Sequence, residues 1–116
     1  MGTRLWITVL AGTLLATEPD PLSAAYDKAK AGRLEEAVRL FEQAVPLNPR
    51  SISLRKDLAY TYLKVGEVEA ARDQFQAAVS LDPNDYHAAL EYAFLCYETR
   101  QRRVARLIFD RVRREG

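Results

Sequence analysis

Cysteine, histidine and tryptophan are nearly absent from this sequence of 116 residues, which contains one of each. The single cysteine, Cys96, excludes a disulfide within the chain and a metal site with two thiolate ligands. The single histidine, His87, has no second histidine four residues away to share a metal ion, and no nucleophilic serine or cysteine stands in a recognisable active-site motif. We therefore expect Cys96 to be buried, and we predict a protein that is not an enzyme and binds no metal and no organic cofactor.

Neither sign of charge is in clear excess: the chain has 17 lysines and arginines and 16 acidic residues, so its formal net charge is +1. The distribution is uneven: residues 17–99 hold nine basic against fourteen acidic residues, whereas residues 100–116 hold seven arginines against two acidic residues. This basic segment either binds a polyanion, such as nucleic acid or an anionic membrane, or is a solvated helix end, where the helix dipole favours cations. The second interpretation is preferred, since Phe109 is the only aromatic residue within the segment.

Long apolar runs are also scarce, and only residues 5–16 form an uncharged, mainly apolar stretch. The stretch follows Arg4 and is shorter than the roughly 20 residues that a membrane-spanning helix needs. These features predict that residues 1–16 are a signal peptide cleaved after Ala16, which would make the protein periplasmic or secreted. Leu14 stands where cleavage prefers a small residue, so an uncleaved membrane anchor is one alternative. A helix packed on the following domain, or a misplaced start codon, would instead leave the protein cytoplasmic.

Glycine and proline occur five times each, and several of them recur with a fixed step. Thirty-four residues separate Gly32 from Gly66, and the same step separates Pro49 from Pro83. Two further sets share this step: Ala37, Ala71 and Ala105, and Phe41, Phe75 and Phe109. A period of this length means that each unit is one supersecondary element, which buries its apolar face by stacking on its neighbours. Such a stack presents an open surface rather than a closed catalytic pocket, so we predict a binding function.

Each unit is predicted to be a pair of helices. Apolar residues recur at three- and four-residue spacing over residues 22–31 and again over 34–45, with Gly32 as the turn between them. Pro49 and Pro83 end the second helix of the first two units, because proline cannot continue a helix. The sequence thus predicts one domain over residues 17–116, with six helices in three hairpins at about residues 18–51, 52–85 and 86–116.

The spaced residues resemble the tetratricopeptide repeat (TPR), and the resemblance extends from Glu18 to Glu115. The middle unit carries it most fully, with these residues in the family's order and spacing: Leu58, Ala59, Tyr62, Gly66, Ala71, Phe75, Ala78 and Pro83. The resemblance implies an all-α, right-handed solenoid of three antiparallel helix-turn-helix repeats after the apolar leader. It also implies a bacterial-type exported scaffold for protein–protein interaction. Arg100 replaces the turn glycine of the third unit, so we expect that turn to differ in geometry.

In TPR proteins one face of the first helix of each repeat lines a concave groove, and the resemblance assigns residues to this groove. The predicted partner-binding residues are Tyr26, Lys30, Lys56, Tyr60, Leu63, Lys64, His87, Leu90, Phe94 and Tyr97. Tyr26, Tyr60 and Phe94 share the 34-residue step and are expected on the helix face turned away from the hairpin partner. With three lysines, this aromatic row fits an extended peptide or a short helix that carries acidic and apolar groups. The alternative is that the aromatic side chains pack against one another across adjacent repeats.

Some TPR proteins bind the terminal carboxylate of chaperone tails with lysine, asparagine and arginine side chains. Here Asp57 and Glu91 occupy two of the corresponding positions. Their negative charges would repel a carboxylate, so we do not expect a receptor for chaperone tails.

The last predicted helix carries an apolar stripe without a following repeat to cover it. Its residues are Leu107, Ile108, Phe109 and Val112. We expect this stripe to be covered by self-association, by a partner protein or by further repeats of a longer chain.

Overall fold

A computed structural model describes residues 20–116, and within this range the chain consists of helices and turns without a strand. The six α-helices are α1 (Pro21–Lys30), α2 (Leu34–Ala44), α3 (Ile52–Lys64), α4 (Val68–Leu81), α5 (Tyr86–Glu98) and α6 (Arg102–Glu115). They form three consecutive hairpins, called repeats 1, 2 and 3, which confirms the predicted all-α solenoid. None of these described helices has the length and apolar character needed to cross a bilayer. The predicted signal peptide lies outside the described residues and stays a prediction.

Polar side chains cap the first helices of repeats 2 and 3. The Ser51 hydroxyl accepts a hydrogen bond from the Leu54 amide at 3.2 Å, and the Asp85 carboxylate accepts one from the Ala88 amide at 3.0 Å. Each bond satisfies an amide group that has no partner inside its own helix. Asp20 occupies the same position before α1, but its side chain makes no capping hydrogen bond.

The three hairpin turns share one hydrogen-bond pattern. In each turn an amide donates to the carbonyl five residues back: Arg33 to Lys28 at 2.9 Å, Glu67 to Tyr62 at 2.9 Å, and Gln101 to Cys96 at 2.7 Å. The residue before each donor has a positive φ, which is 77° at Gly32, 85° at Gly66 and 68° at Arg100. The expectation of a different third turn is therefore wrong. Because the shared hydrogen bonds and the packing of α5 on α6 require this turn, Arg100 takes the left-handed conformation at a cost of about 1–2 kcal/mol.

Alanines bring the two helices of each hairpin close together. At most 1% of the surface of each of these alanines is exposed: Ala25, Ala59 and Ala93 on the first helices, and Ala37, Ala71 and Ala105 on the second helices. Their small side chains allow a close approach of the helix axes, as the repeat pattern predicts. Phe41 and Phe75 on the second helices are also buried and fill the space between repeats.

Consecutive repeats are joined because the first helix of one repeat packs on the second helix of the repeat before it. Leu54 and Leu58 of α3 are each 1% exposed and lie in one cluster with Phe41 of α2. Tyr92 of α5 lies in a second cluster with Phe75 of α4. At each junction, the first helix of one repeat therefore covers one face of the second helix of the repeat before it.

Repeat 1 ends differently from repeat 2. Helix α2 stops at Ala44 and is followed by a 3-10 turn over Val45–Leu47, whereas α4 continues to Leu81. Pro46 explains the early stop, because proline has no amide hydrogen to donate within a helix. The turn leaves the Leu47 side chain 65% exposed.

Candidate functional site

The first helices of the three repeats carry the aromatic row predicted for the concave face. Each ring packs edge-to-face on a phenylalanine: Tyr26 on Phe41 at 5.1 Å, Tyr60 on Phe75 at 5.1 Å, and Phe94 on Phe109 at 5.0 Å between ring centroids. These phenylalanines belong to the second helix of the same hairpin. The expectation that the row turns away from its hairpin partner is therefore wrong. The buried alanine beside each ring brings the two helices close enough for this aromatic contact.

Among the described residues, the Tyr26, Tyr60 and Phe94 rings do not pack on one another across repeats, so that alternative is also wrong. The tyrosines make polar contacts with the next repeat instead. The Tyr26 hydroxyl donates a hydrogen bond to Asp57, and the Tyr60 hydroxyl lies 3.4 Å from a ring nitrogen of His87. Burial, together with the hydrogen bond to Asp57, raises the pKa of Tyr26 to about 12, and burial also raises the pKa of Tyr60. Both hydroxyls therefore stay protonated at neutral pH.

Exposure increases along the aromatic row toward its C-terminal end. Tyr26 and Tyr60 are half-buried, whereas Phe94 is 57% exposed and the nearby Tyr97 is 56% exposed. Side chains of α3 and α5 lie against the first two rings, and no described helix takes this place beyond α5. Phe94 and Tyr97 are thus the exposed large hydrophobic side chains among the predicted contact residues.

The three lysines predicted for the groove differ in their contacts. Lys56 forms an ion pair with Asp85 at 2.9 Å, and the two side chains are only 24% and 17% exposed. Burial opposes ionisation of Asp85, but hydrogen bonds from the Ala88 amide and the Lys56 ammonium outweigh it and lower the pKa of that carboxyl. Lys56 thus already has a partner within the chain, and its predicted contact with a binding partner stays a prediction. Lys30 and Lys64 are exposed, and neither forms an ion pair within the described residues.

The remaining predicted residues lie on the same first helices. His87 is exposed, and its ring lies 3.9 Å from the carboxylate of Glu91. Leu63 and Leu90 are half-buried. Sequence analysis did not assign Asp85 to this surface. The available signal was its place immediately before α5, where a capping carboxylate comes close to the preceding repeat.

Of the residues considered for catalysis, Cys96 is poorly placed for it. Cys96 is fully buried, as predicted, and burial raises the pKa of its thiol. A protonated thiol in a core is a weak nucleophile. Within residues 20–116 no three histidine, cysteine or acidic side chains come together in a way that could hold a metal ion.

The basic C-terminal segment forms α6 and the turn before it. Arg111 donates to the Pro83 carbonyl at 3.0 Å and pairs with Glu115 at 3.1 Å, and Arg113 pairs with Asp110 at 3.2 Å. The exposed arginines are Arg100, Arg102, Arg103, Arg106, Arg113 and Arg114. Part of the cluster thus stabilises the helix end itself, which is in keeping with the preferred interpretation. Binding of a polyanion stays an untested alternative.

A hollow of about 290 Å³ lies at the C-terminal end of the stack, where α5 and α6 meet. Its lining consists of Tyr97, Arg102, Ala105, Arg106, Phe109 and Asp110. The predicted apolar stripe only partly belongs here: Phe109 lines the hollow, but Leu107 is 64% exposed. The residues 34 and 68 positions before Leu107 are Asp73 and Arg39, which are also exposed. Leu107 therefore lies on a face that faces solvent in every repeat.

Three stacked hairpins with identical turns and a row of first helices define an α-solenoid of helix-turn-helix repeats. Two family models, both described as tetratricopeptide repeat, match residues 28–78 and residues 56–116. The second match covers more than half of the chain, so the chain belongs to the TPR family. A comparison with curated proteins gave no significant match.

Solved TPR structures have a similar fold. The second TPR of Spaghetti (RPAP3), bound to the HSP90 peptide SRMEEVD, is 20% identical with a TM-score of 0.66, and the match covers 79% of this chain and 85% of that one. MamA is 17% identical with a TM-score of 0.71, over 79% of this chain and 50% of that one. For PilF of Pseudomonas aeruginosa the identity is 24%, the TM-score 0.65 and the coverage 83% and 44%. At these identities the comparisons establish a shared fold.

Proposed function

We propose that this chain is a non-enzymatic scaffold that binds a protein or peptide segment on the concave face formed by α1, α3 and α5. The observation that supports it most is Phe94. This ring continues the row of Tyr26 and Tyr60 but is 57% exposed, and exposed aromatic side chains are frequent centres of protein interfaces. Membership of the TPR family supports the same class of function.

The charges on this face narrow the chemistry of the partner. Lys30 and Lys64 lie at the C-terminal ends of α1 and α3 and supply positive charge along one edge, while the Lys56 charge is neutralised by Asp85. Asp57 contributes negative charge farther inside. A suitable partner carries apolar side chains that contact Phe94 and an acidic group that pairs with Lys30 or Lys64.

The Spaghetti (RPAP3) structures contain an acidic HSP90 peptide, which supports an extended peptide as the type of ligand. This chain differs in one respect that bears on such a tail. By the resemblance to TPR proteins, Asp57 and Glu91 occupy positions at which other members bind a terminal carboxylate, and like charges repel. We therefore propose an internal peptide segment as the partner rather than a free carboxyl terminus.

Selection of binding peptides from a displayed random library, with residues 20–116 as the immobilised target, tests this proposal. Selected peptides are measured by fluorescence anisotropy against wild type, Phe94→Ala and the double variant Lys30→Glu/Lys64→Glu. We expect each change to weaken binding about tenfold or more, since exposed aromatic and charged contacts of this kind are each worth about 1–2 kcal/mol.

The matched control is Arg39→Glu/Arg50→Glu, which changes the charge equally at exposed residues outside the first helices. This control should stay within about twofold of wild type. Circular dichroism shows whether Phe94→Ala retains its helices, because that ring also packs on Phe109. Tyr60→Ala is avoided, since Tyr60 packs on Phe75. The concave face is not the binding surface if no peptide is enriched. The same conclusion follows if Lys30→Glu/Lys64→Glu and Arg39→Glu/Arg50→Glu weaken peptide binding equally.

A further inference from the structure

Helix α6 has the same residues on one face as α4, but no helix within residues 20–116 covers this face of α6 as α5 covers that of α4. The sequence Ala71-Arg72 followed by Phe75 in α4 recurs as Ala105-Arg106 followed by Phe109 in α6. In α4 the alanine and the phenylalanine are completely buried. In α6 Ala105 is buried within the hairpin, but Phe109 is only half-buried and borders an open hollow.

The chain itself shows what kind of helix fits such a face. Helix α5 covers α4, and its Ala88, Tyr92 and Cys96 are buried at a spacing of four residues. The Arg72 guanidinium of α4 then donates to the Thr99 hydroxyl just after α5, at 3.0 Å. The fitting helix therefore has three apolar residues in a row along one face and a hydrogen-bond acceptor for the arginine.

The first junction follows the same pattern with larger side chains. Helix α3 covers α2 with Leu54, Leu58 and Tyr62, which again stand four residues apart, and the two leucines are 1% exposed. Two independent junctions thus agree on the spacing of apolar residues, and they tolerate side chains from alanine to tyrosine.

The charge around the hollow selects for an acidic helix. Arg102 and Arg106 line the hollow together with one acid, Asp110. Arg106 corresponds to Arg72, yet it is exposed and has no hydrogen-bond acceptor among the described residues. A carboxylate on the incoming helix would supply this acceptor and complement the positive charge.

A second copy of this chain is poorly suited to cover the face. In a head-to-tail pair α1 of one molecule would have to cover α6 of the next. The residues of α1 and its cap at the positions of Leu54, Leu58 and Tyr62 are Asp20, Ala24 and Lys28. Two of these three are charged, and none is a large apolar side chain that could fill the hollow.

We propose that the uncovered face of α6, with Tyr97 of α5 at its edge, is a docking site for an acidic amphipathic helix of another protein. The helix carries apolar residues at positions i, i+4 and i+8, and a carboxylate or hydroxyl reaches Arg106. This site adjoins the concave face, with which it shares Tyr97, but it does not depend on the function proposed for that face.

A helix-stabilised peptide that copies residues 86–99, with Cys96 replaced by alanine, is the probe. It carries the residues that cover α4 and two acidic side chains, Glu91 and Glu98. Fluorescence anisotropy should show saturable binding to the whole chain. Arg106→Glu should weaken this binding at least tenfold, because it removes the donor and repels the peptide.

Arg103→Glu is the matched control, since Arg103 is exposed and its counterparts Glu35 and Glu69 are exposed in the other repeats. Arg103→Glu should change the affinity for the peptide by about twofold or less. The Lys30→Glu/Lys64→Glu variant of the concave face should leave this affinity unchanged. Absence of saturable binding, or equal losses for Arg103→Glu and Arg106→Glu, would overturn the proposal. A dimer that is detected by sedimentation equilibrium and dissociated by Arg106→Glu would also overturn the proposal, because a second copy of the chain would then cover the face of α6.

Discussion

The buried face of α4 and the open face of α6 contain the same three residue types at the same positions and differ in their surroundings. Phe75 is 0% exposed because α5 lies over it, whereas Phe109 borders a hollow. The comparison teaches that the repeat pattern specifies which side chains can pack at a junction. Whether they form core or accessible surface depends on the presence of the next helix.

The largest effect is expected from truncating the two phenylalanines. Phe75→Ala should lower the free energy of unfolding by about 3–5 kcal/mol, because it leaves a cavity in a closed junction. Phe109→Ala should lower it by roughly 1–2 kcal/mol, since the ring already lies partly in solvent. Urea unfolding followed by circular dichroism measures both values. Equal losses would mean that the end of the stack is as closed as its middle.

A smaller effect is expected from the residues that cap α3 and α5, Ser51 and Asp85. Asp85→Ala should destabilise the fold by about 1–2 kcal/mol at neutral pH, since it removes a helix cap and the partner of Lys56. Ser51→Ala removes a neutral cap and should cost about 1 kcal/mol. Both are measured by urea unfolding at a series of pH values.

The two caps should respond differently to acid. The folded-state pKa of Asp85 is lowered from its ordinary value of 3.8, so its contribution is present above about pH 4 and is lost as the pH falls through the folded pKa. The loss caused by Asp85→Ala should therefore shrink below pH 4, whereas the loss caused by Ser51→Ala should not. A pH-independent Asp85→Ala effect would show that the carboxylate acts without its charge.

The smallest effect is expected at the turns. Gly66 and Arg100 have the same left-handed backbone, but an arginine is strained there. Gly66→Ala should destabilise by about 1 kcal/mol. No atom beyond the two chain neighbours lies within 4 Å of the added carbon, so backbone strain is the reason. Arg100→Gly should raise the free energy of unfolding by about 0.5–1 kcal/mol, offset in part by a more flexible unfolded chain. A thermal shift in the opposite direction would show that the Arg100 side chain makes a stabilising contact.

Sequence reasoning predicted the helices and the buried alanines well, because spacing of apolar residues and glycine turns are local signals. It failed at Arg100, since the shared turn hydrogen bonds decide the backbone there regardless of residue type. It did not reveal the ion pair of Lys56, whose partner Asp85 lies 29 residues away on the next repeat. The direction of the Tyr26, Tyr60 and Phe94 rings depended on how closely their helices approach.

The sequence by itself determined the period of 34 residues, the hairpins and the family, because each repeat encodes its turns, small contacts and stops locally. Only the tertiary structure decided which aromatic side chains remain accessible and which lysines keep their charge available. These properties depend on the covering helix of the following repeat, and a pattern that recurs in every repeat does not contain that information.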